Sequence, residues 1–279
     1  MNKKKFAIIG KPISHSLSPT LHNYWFKKYN IDASYSSMEV EENEIPDVIK
    51  KIKNREIYGI NVTLPYKKKI IPFLDRLIND AEKTSSVNTV YLSPDNNLIG
   101  DNTDVFGMQA GYLKNLSHNN PKIRRSLIIG AGGVSPSIIV ALQKSNISDI
   151  TIVNRTHDKS VFLKNKFKKI KVSKWQNLLS EFGNSDLIIN ATSLGLKNGN
   201  DFDVDINSEN FKKTSTFIDT IYNPKETNMI KKLKKIGLKT FNGLEMFLYQ
   251  GQKSFYLWNN INPEIDDELI ELLEKKIDV

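Results

Sequence analysis

The stretch Ser126-Leu-Ile-Ile-Gly-Ala-Gly-Gly-Val-Ser-Pro-Ser137 decides how this chain folds. An apolar run ends in a glycine-rich turn, and the turn opens a helix with proline near its first position. Glycines at 130, 132 and 133 allow a tight turn and let backbone N–H groups approach a pyrophosphate at the helix N-terminus. Taken alone, a Gly-Ala-Gly-Gly turn is also a common structural connector. The context makes it a dinucleotide site: a strand precedes it, a helix follows, and a second apolar run, Asp149-Ile-Thr-Ile-Val153, comes next.

That second strand ends in Asn154-Arg-Thr156, and Asn154 lies 24 residues after Gly130. An NAD site usually presents Asp or Glu at such a strand end to hold the ribose 2′-hydroxyl, whereas Asn followed by Arg suits a 2′-phosphate. NADP is therefore favoured over NAD. The competing reading makes Arg155 and Lys159 ordinary solvent-exposed charges.

Working outward, short apolar runs alternate with helix-period segments, which predicts an α/β chain with mainly parallel sheets. Before the glycine turn, strands are expected at 5–9, 35–40, 58–62, 87–92 and 97–99, with a turn at Pro94-Asp-Asn96 and helices at 19–29, 45–53 and 69–80. From about Lys122 a second series places strands at 126–129, 149–153, 171–172, 186–189, 216–218 and 239–240, and two helices, 244–259 and 263–276, close the chain. The polar stretch Lys114 to Arg125 reads as an exposed connection. It divides the chain into an N-terminal α/β domain, 1–104, and a Rossmann-type domain, 105–243, with a ligand cleft expected between them.

Composition narrows the chemistry. There is no cysteine, which excludes disulfides, thiolate metal sites and cysteine nucleophiles, and the four histidines show no metal-ligand spacing, so no metal is expected. The net charge is +9, but the lysines are dispersed over 50–53, 67–69, 164–171 and 231–235 without interleaved aromatic residues. That pattern fits solvated helix faces and argues against nucleic-acid binding. The Asn2-Lys-Lys-Lys5 start leads into a run too short for a secretory leader, and no stretch reaches membrane-spanning length. A soluble cytoplasmic protein that binds neither membrane nor nucleic acid is expected. No coiled-coil heptad fixes the oligomeric state, which stays open between monomer and homodimer.

Two further places carry chemistry. Gly10-Lys-Pro-Ile-Ser-His-Ser-Leu-Ser-Pro-Thr-Leu-His-Asn23 follows the first strand, with Ser18 as expected N-cap, Pro19 at the first helical position and Ser16 as a second hydroxyl. The free N–H groups of that turn favour an anion, although a capped helix needs no ligand. Tyr58-Gly-Ile-Asn-Val-Thr-Leu-Pro-Tyr-Lys67 and Gly100-Asp-Asn-Thr-Asp104 deliver a lysine and a carboxylate at strand ends. Facing one cleft, Lys67 and Asp104 form a proton-transfer pair; apart, they are surface charges.

These blocks together resemble the shikimate dehydrogenase family (shikimate/quinate dehydrogenases). The resemblance extends through Val87-Asn-Thr89, Asn190-Ala-Thr-Ser193, Asp219-Thr-Ile-Tyr-Asn-Pro224 and Asn242-Gly-Leu-Glu-Met-Phe-Leu-Tyr-Gln250. It implies NADPH-dependent, reversible reduction of 3-dehydroshikimate to shikimate, a step toward chorismate and the aromatic amino acids. By the same resemblance Ser16, Ser18, Thr63, Asn88, Tyr222 and Gln250 hold the substrate, and Lys67 and Asp104 are catalytic. Gly130, Ala131, Gly132, Gly133, Asn154, Arg155, Thr156, Lys159, Thr192, Ser193, Gly243 and Met246 hold NADP. The resemblance also returns the last helices, 244–279, to the N-terminal, substrate-binding domain.

Four positions depart from the family pattern: Ser85 and Ser86 replace a small Gly-Ala pair, Ser137 replaces a small alanine, and Glu245 stands where glycine is common. Two rivals remain at this stage. One is a quinate/shikimate dehydrogenase of broader specificity, often using NAD; the other is a sensor that binds the same ligands without turnover.

Overall fold

The computed structural model describes residues 3–119, 123–197, 199–204 and 211–277. The chain divides into two compact units, one made of Met1–Gly107 with Leu248–Lys276, the other of Met108–Phe247 with Ile277–Val279. Two of the three crossings fall inside helices, Asp104–Met108 and Leu244–Asn259.

The first unit is built on six strands: β1 (Lys4–Gly10), β2 (Ala33–Glu39), β3 (Gly59–Val62), β4 (Arg76–Leu77), β5 (Thr89–Leu92) and β6 (Leu98–Asp101), in the order β2-β1-β3-β5-β6-β4. β1 runs parallel to β2 and β3, whereas β5 is antiparallel to both β3 and β6. The sheet is mainly parallel, as expected; β5 alone runs against the other five strands, because the Pro94-Asp-Asn96 turn is a hairpin. Ser93 N–H donates to the Asn97 carbonyl at 2.9 Å and Asn96 takes a positive φ of 62°, which reverses the chain in place.

Side chains alternate across β1. Ala7 and Ile9 join Val48, Ile49, Ile52, Ile60 and Val62 on one face. Phe6 faces an aromatic layer on the other, with ring centroids 5.3 Å from Phe26 and 5.1 Å from Trp258. Helix Ser18–Lys28 and the C-terminal part of Leu244–Asn259 build that layer. Gly251 lets the helices meet, since a Cβ there would lie 2.4 Å from Leu21 Cδ2. His22 is sealed within the layer, stacked on Tyr35 at 4.4 Å, and burial lowers its imidazole to about 3, so it stays neutral.

Three helix expectations change. The helix expected at 69–80 is instead a 3₁₀ turn (Ile71–Phe73), the edge strand β4 and a short helix, Asp80–Thr84. Pro72 obstructs a helical interior, and Asp75 is drawn to the sheet edge by Leu98, whose N–H donates to its carboxylate at 2.7 Å. The closing helix begins at Asp267 rather than 263, because Asp266 caps it by accepting from Leu269 N–H at 2.9 Å. The expected connection 114–125 contains a helix, Lys114–Asn119, while 120–122 lie outside the described residues.

The second unit carries β7 (Arg125–Ile129), β8 (Asp149–Val153), β9 (Lys171–Ser173), β10 (Leu187–Asn190), β11 (Thr216–Asp219) and β12 (Lys239–Phe241), all parallel, in the order β12-β11-β10-β7-β8-β9. That is the doubly wound order of a Rossmann sheet, in which the strand sequence reverses between β7 and β10. Leu127, Ile128 and Ile129 are all fully buried, as a strand covered by helices on both faces requires. Among the described residues no helix is long and apolar enough to cross a membrane.

Candidate active site

In the first unit the parallel strands β1 and β3 end at the same sheet edge as β6, and β5 begins there. The residues just beyond those ends are the ones singled out in the sequence: Ser16 and Ser18 after β1, Thr63 and Lys67 after β3, Asn88 before β5, and Asp104 after β6. Gly10 makes this edge compact, since a Cβ there would sit 2.4 Å from Thr63 Cγ2.

Lys67 Nζ donates to Asp104 Oδ2 at 2.6 Å, with side chains only 13% and 7% exposed. The other carboxylate oxygen, Oδ1, accepts from Asn88 Nδ2 at 2.9 Å. The amide orientation of Asn88 is fixed from behind: its Oδ1 accepts the Thr103 backbone N–H at 2.8 Å, which turns Nδ2 toward Asp104. Nδ2 also lies 3.4 Å from Gln250 Oε1. Lys67, Asp104, Asn88 and Gln250 thus form one connected group, and the lysine and aspartate are an ion pair rather than two surface charges.

The sequence reading did not single out the layer beneath. Asn61 Nδ2 donates to Ser254 Oγ at 3.0 Å, and Thr103 Oγ1 lies 3.1 Å from the same hydroxyl. The available signal was the spacing of Gln250 and Ser254, four apart and so on one helix face.

The anion segment is arranged differently from its expectation. Helix Ser18–Lys28 starts at Ser18 itself with Leu17 in the cap position, so Ser18 is not the N-cap. Ser16 supplies the local acceptor instead, taking the Ser18 N–H at 3.3 Å. Ser18 is buried and Ser16 half-buried, side by side at the helix entrance.

In the second unit the glycine turn leaves β7 and faces the segment leaving β10, on the two sides of the strand-order reversal. Gly130 adopts φ +111°, and a Cβ there would meet Thr192 Cγ2 at 2.7 Å and the Ala191 carbonyl at 2.8 Å. Only glycine fits. Gly132 is exposed, with nothing nearer than 3.8 Å to its would-be Cβ, so the turn presents open backbone beside the start of helix Ser135–Lys144.

Asn154 braces this turn from β8: its Oδ1 accepts Ala131 N–H at 3.1 Å and its Nδ2 donates to the Thr156 carbonyl at 2.7 Å. Arg155, Thr156 and Lys159 are exposed beside it, as free cations and hydroxyl suited to a 2′-phosphate would be. Thr192 is half-buried and Ser193 exposed. Gly243 packs so closely on Thr220 that a Cβ would lie 2.2 Å from its carbonyl oxygen. Met246 is buried, its N–H directed at the Tyr112 hydroxyl at 3.3 Å, and Tyr222 lies with its ring 4.8 Å from Phe247. These features fit a dinucleotide: a positive-φ glycine cradle, open N–H groups and flanking cations.

Family models for a "Shikimate dehydrogenase substrate binding domain" and for "Shikimate / quinate 5-dehydrogenase" match residues 8–90 and 113–246. The chain is 48% identical to the shikimate dehydrogenase (NADP(+)) of Pelagibacter ubique, over 98% of this chain and 99% of the relative. The chain belongs to the shikimate dehydrogenase family.

Solved members of the family have the same fold. The shikimate dehydrogenase of Aquifex aeolicus superposes with a TM-score of 0.83 at 32% identity, covering 98% of this chain and 97% of that one. The Thermus thermophilus enzyme, solved in complex with NADP(H) and shikimate, gives 0.85 at 28% identity, covering 98% and 100%.

Of the four departures from the family pattern, Ser86 and Ser137 are buried and Glu245 is half-buried. Burial pushes the Glu245 carboxyl up from its usual range. Among the described residues no group of three or more His, Asp or Glu gathers as metal ligands would.

Proposed function

We propose that this chain is an NADP-dependent shikimate dehydrogenase that reversibly reduces 3-dehydroshikimate to shikimate, working in the cytoplasm as a monomer or homodimer. The observation that carries the reading is the Lys67–Asp104 ion pair, bonded through Asn88 at the sheet edge of a chain of this family. A sensor without turnover has no use for a lysine 2.6 Å from a buried carboxylate.

The cofactor, when bound, supplies a hydride to the ketone carbon. The protein must then place the ketone and deliver a proton to its oxygen. Ser16, Ser18 and Tyr222 take the ring carboxylate, and Thr63, Asn88 and Gln250 orient the ring and its hydroxyls. Lys67, ion-paired with Asp104, donates a hydrogen bond to the carbonyl oxygen and gives it a proton as negative charge develops there. Asp104 holds the ammonium in place and stabilises it once the proton is restored. A hydride to carbon and a proton to oxygen make the alcohol, and the reverse reaction uses the same groups with Lys67 as base.

In the second unit the turn at 130–133 holds the pyrophosphate. Asn154 keeps that turn in shape, while Arg155, Thr156 and Lys159 take the 2′-phosphate. Thr192, Ser193, Gly243 and Met246 line the nicotinamide half.

The test is the absorbance of reduced nicotinamide at 340 nm, with shikimate or quinate against NADP⁺ or NAD⁺. Turnover of shikimate with NADP⁺, at least tenfold above the other three combinations in kcat/KM, is expected. Equal rates with quinate or NAD⁺ would move the chain to the broader quinate/shikimate class, and no turnover would leave it a sensor.

A further inference from the structure

The buried carboxylate of Asp219 has no part in the chemistry above. It ends β11, is 0% exposed, and three neutral groups donate to it. Oδ1 accepts Asn190 Nδ2 at 3.0 Å and Ile221 N–H at 3.1 Å; Oδ2 accepts the Thr227 hydroxyl at 2.8 Å. Burial pushes its pKa up to about 6 in spite of those donors, and the Asp201 carboxylate acts in the same direction. The Tyr112 hydroxyl also feels its charge.

What this acceptor does to Asn190 is specific. A side-chain amide can sit either way round, and its neighbours decide. Because Asp219 Oδ1 takes Nδ2, the oxygen of Asn190 is left facing the segment after β10. There it accepts Thr192 N–H at 3.0 Å and the Thr192 hydroxyl at 2.7 Å. The Thr192 hydroxyl oxygen, its proton so directed, accepts Leu194 N–H at 3.0 Å, and Asn190 Nδ2 also reaches the Leu194 carbonyl at 3.2 Å. Thr192 is the residue on which Gly130 of the glycine turn packs.

The carboxylate also fixes the segment after β11. Ile221, whose N–H it holds, accepts Gly243 N–H at 2.8 Å, and Gly243 abuts Thr220. One buried acceptor therefore sets the conformation of the segments that follow β10 and β11, on one side of the strand-order reversal.

We propose that Asp219 is a positioning residue for the nicotinamide half of the cofactor, acting through the Asn190 amide on Thr192 and through Ile221 on Gly243. The proposal rests on the reading of the second unit as an NADPH site.

Binding is measured without turnover, by the fluorescence of NADPH titrated into the full chain. Asp219→Ala removes the acceptor and should raise the NADPH Kd at least tenfold. Asp219→Asn keeps an oxygen that can face Asn190 and Ile221, while its NH2 turns to the Thr227 hydroxyl. That variant should bind within about threefold of the unsubstituted chain. Rescue by asparagine distinguishes orientation of the amide from a general need for negative charge. Thr192→Val, which leaves the carboxylate untouched and removes only the end of the relay, should raise Kd three- to tenfold, and it decides the matter if Asp219→Ala does not fold.

A folded Asp219→Ala that binds NADPH within twofold of the unsubstituted chain, an asparagine variant as weak as alanine, or an unchanged Kd in Thr192→Val would each overturn the proposal. Failure of the unsubstituted chain to bind NADPH would instead remove the functional reading on which it rests.

Discussion

Asp104 and Asp219 are both buried carboxylates placed at the end of a strand, one in each unit, and their surroundings are opposite. Asp104 has an ammonium 2.6 Å away, contributed by Lys67, and one amide on its other oxygen. Asp219 is met by an amide, a backbone N–H and a hydroxyl, all neutral, and its pKa rises to about 6. A carboxylate beside a cation belongs to a pair through which a proton can be exchanged with a third group. A carboxylate among neutral dipoles has a fixed job as acceptor, and its negative charge is held at a cost. The first arrangement suits proton transfer, the second suits holding loops in shape.

The sharpest way to break this comparison is to remove the cation. Lys67→Ala should lower kcat by about 10²-fold or more, the scale of lost acid–base catalysis, with the KM for shikimate changing far less. Asp104→Asn should cost a similar factor, and the double variant little more than either single one, because groups that act as a unit are not additive. A kcat for Lys67→Ala within threefold of the unsubstituted chain would show that the pair is structural, and Asp104 would then differ from Asp219 only in its neighbours.

The Asp219 side of the comparison appears in stability rather than rate. Its folded pKa, about 6, lies above the 3.8 of an ordinary aspartate, so between those values the native state binds more protons than the unfolded chain. This group therefore favours the native state most below about pH 4, and that contribution is lost as pH rises through 6. The shift corresponds to about 3 kcal/mol. Denaturant unfolding at pH 4.5 to 7 should show a decline with rising pH that Asp219→Asn removes. An identical pH profile in the asparagine variant would mean that Asp219 ionises like an exposed carboxylate.

Sequence alone reveals these two sites unequally. The glycine turn, Asn154 with Arg155, and Lys67 with Asp104 are legible because each lies in a short segment whose strand–turn or strand–helix pattern is local. β8 and the helix Ile45–Lys53 coincide with their expected ranges for the same reason. The hairpin order of the first sheet was not legible: antiparallel insertion of β5 depends on which edge the Pro94–Asn96 turn leads to, a tertiary fact.

The cap of the Ser18 helix lies one residue before its expected place, at Leu17, and the local side-chain acceptor is Ser16. Ser254 is invisible as a site residue because its partner Asn61 meets it only through the packing of Leu244–Asn259 on the sheet, and Thr103 because Asn88 meets it only through the pairing of β5 with β6. The orientation of Asn190 was hidden likewise, being fixed by a carboxylate 29 residues away.

An exposed charge of the cofactor site tests whether the second unit reads its cofactor by buried shape or by surface attraction. Arg155 is exposed at the end of β8, so it contributes little to the fold, and replacing it should leave the melting temperature within a few degrees. Its expected partner is a phosphate that only NADPH offers. A charge-assisted bond at a wet surface contributes somewhat less than the 1.5–3 kcal/mol typical of hydrogen bonds to charged groups, or roughly a tenfold change in affinity.

Arg155→Ala should therefore raise the NADPH Kd about tenfold and leave that for NADH unchanged. The loss should shrink as salt is raised, because an exposed pair is screened. Asp219→Ala, by contrast, should weaken both nucleotides alike and independently of salt, since it acts on the segments around the nicotinamide that the two share. If Arg155→Ala weakens NADH as much as NADPH, then the surface cation is shaping the turn that Asn154 braces. The division between a buried residue that positions and an exposed one that selects would then not hold for this unit.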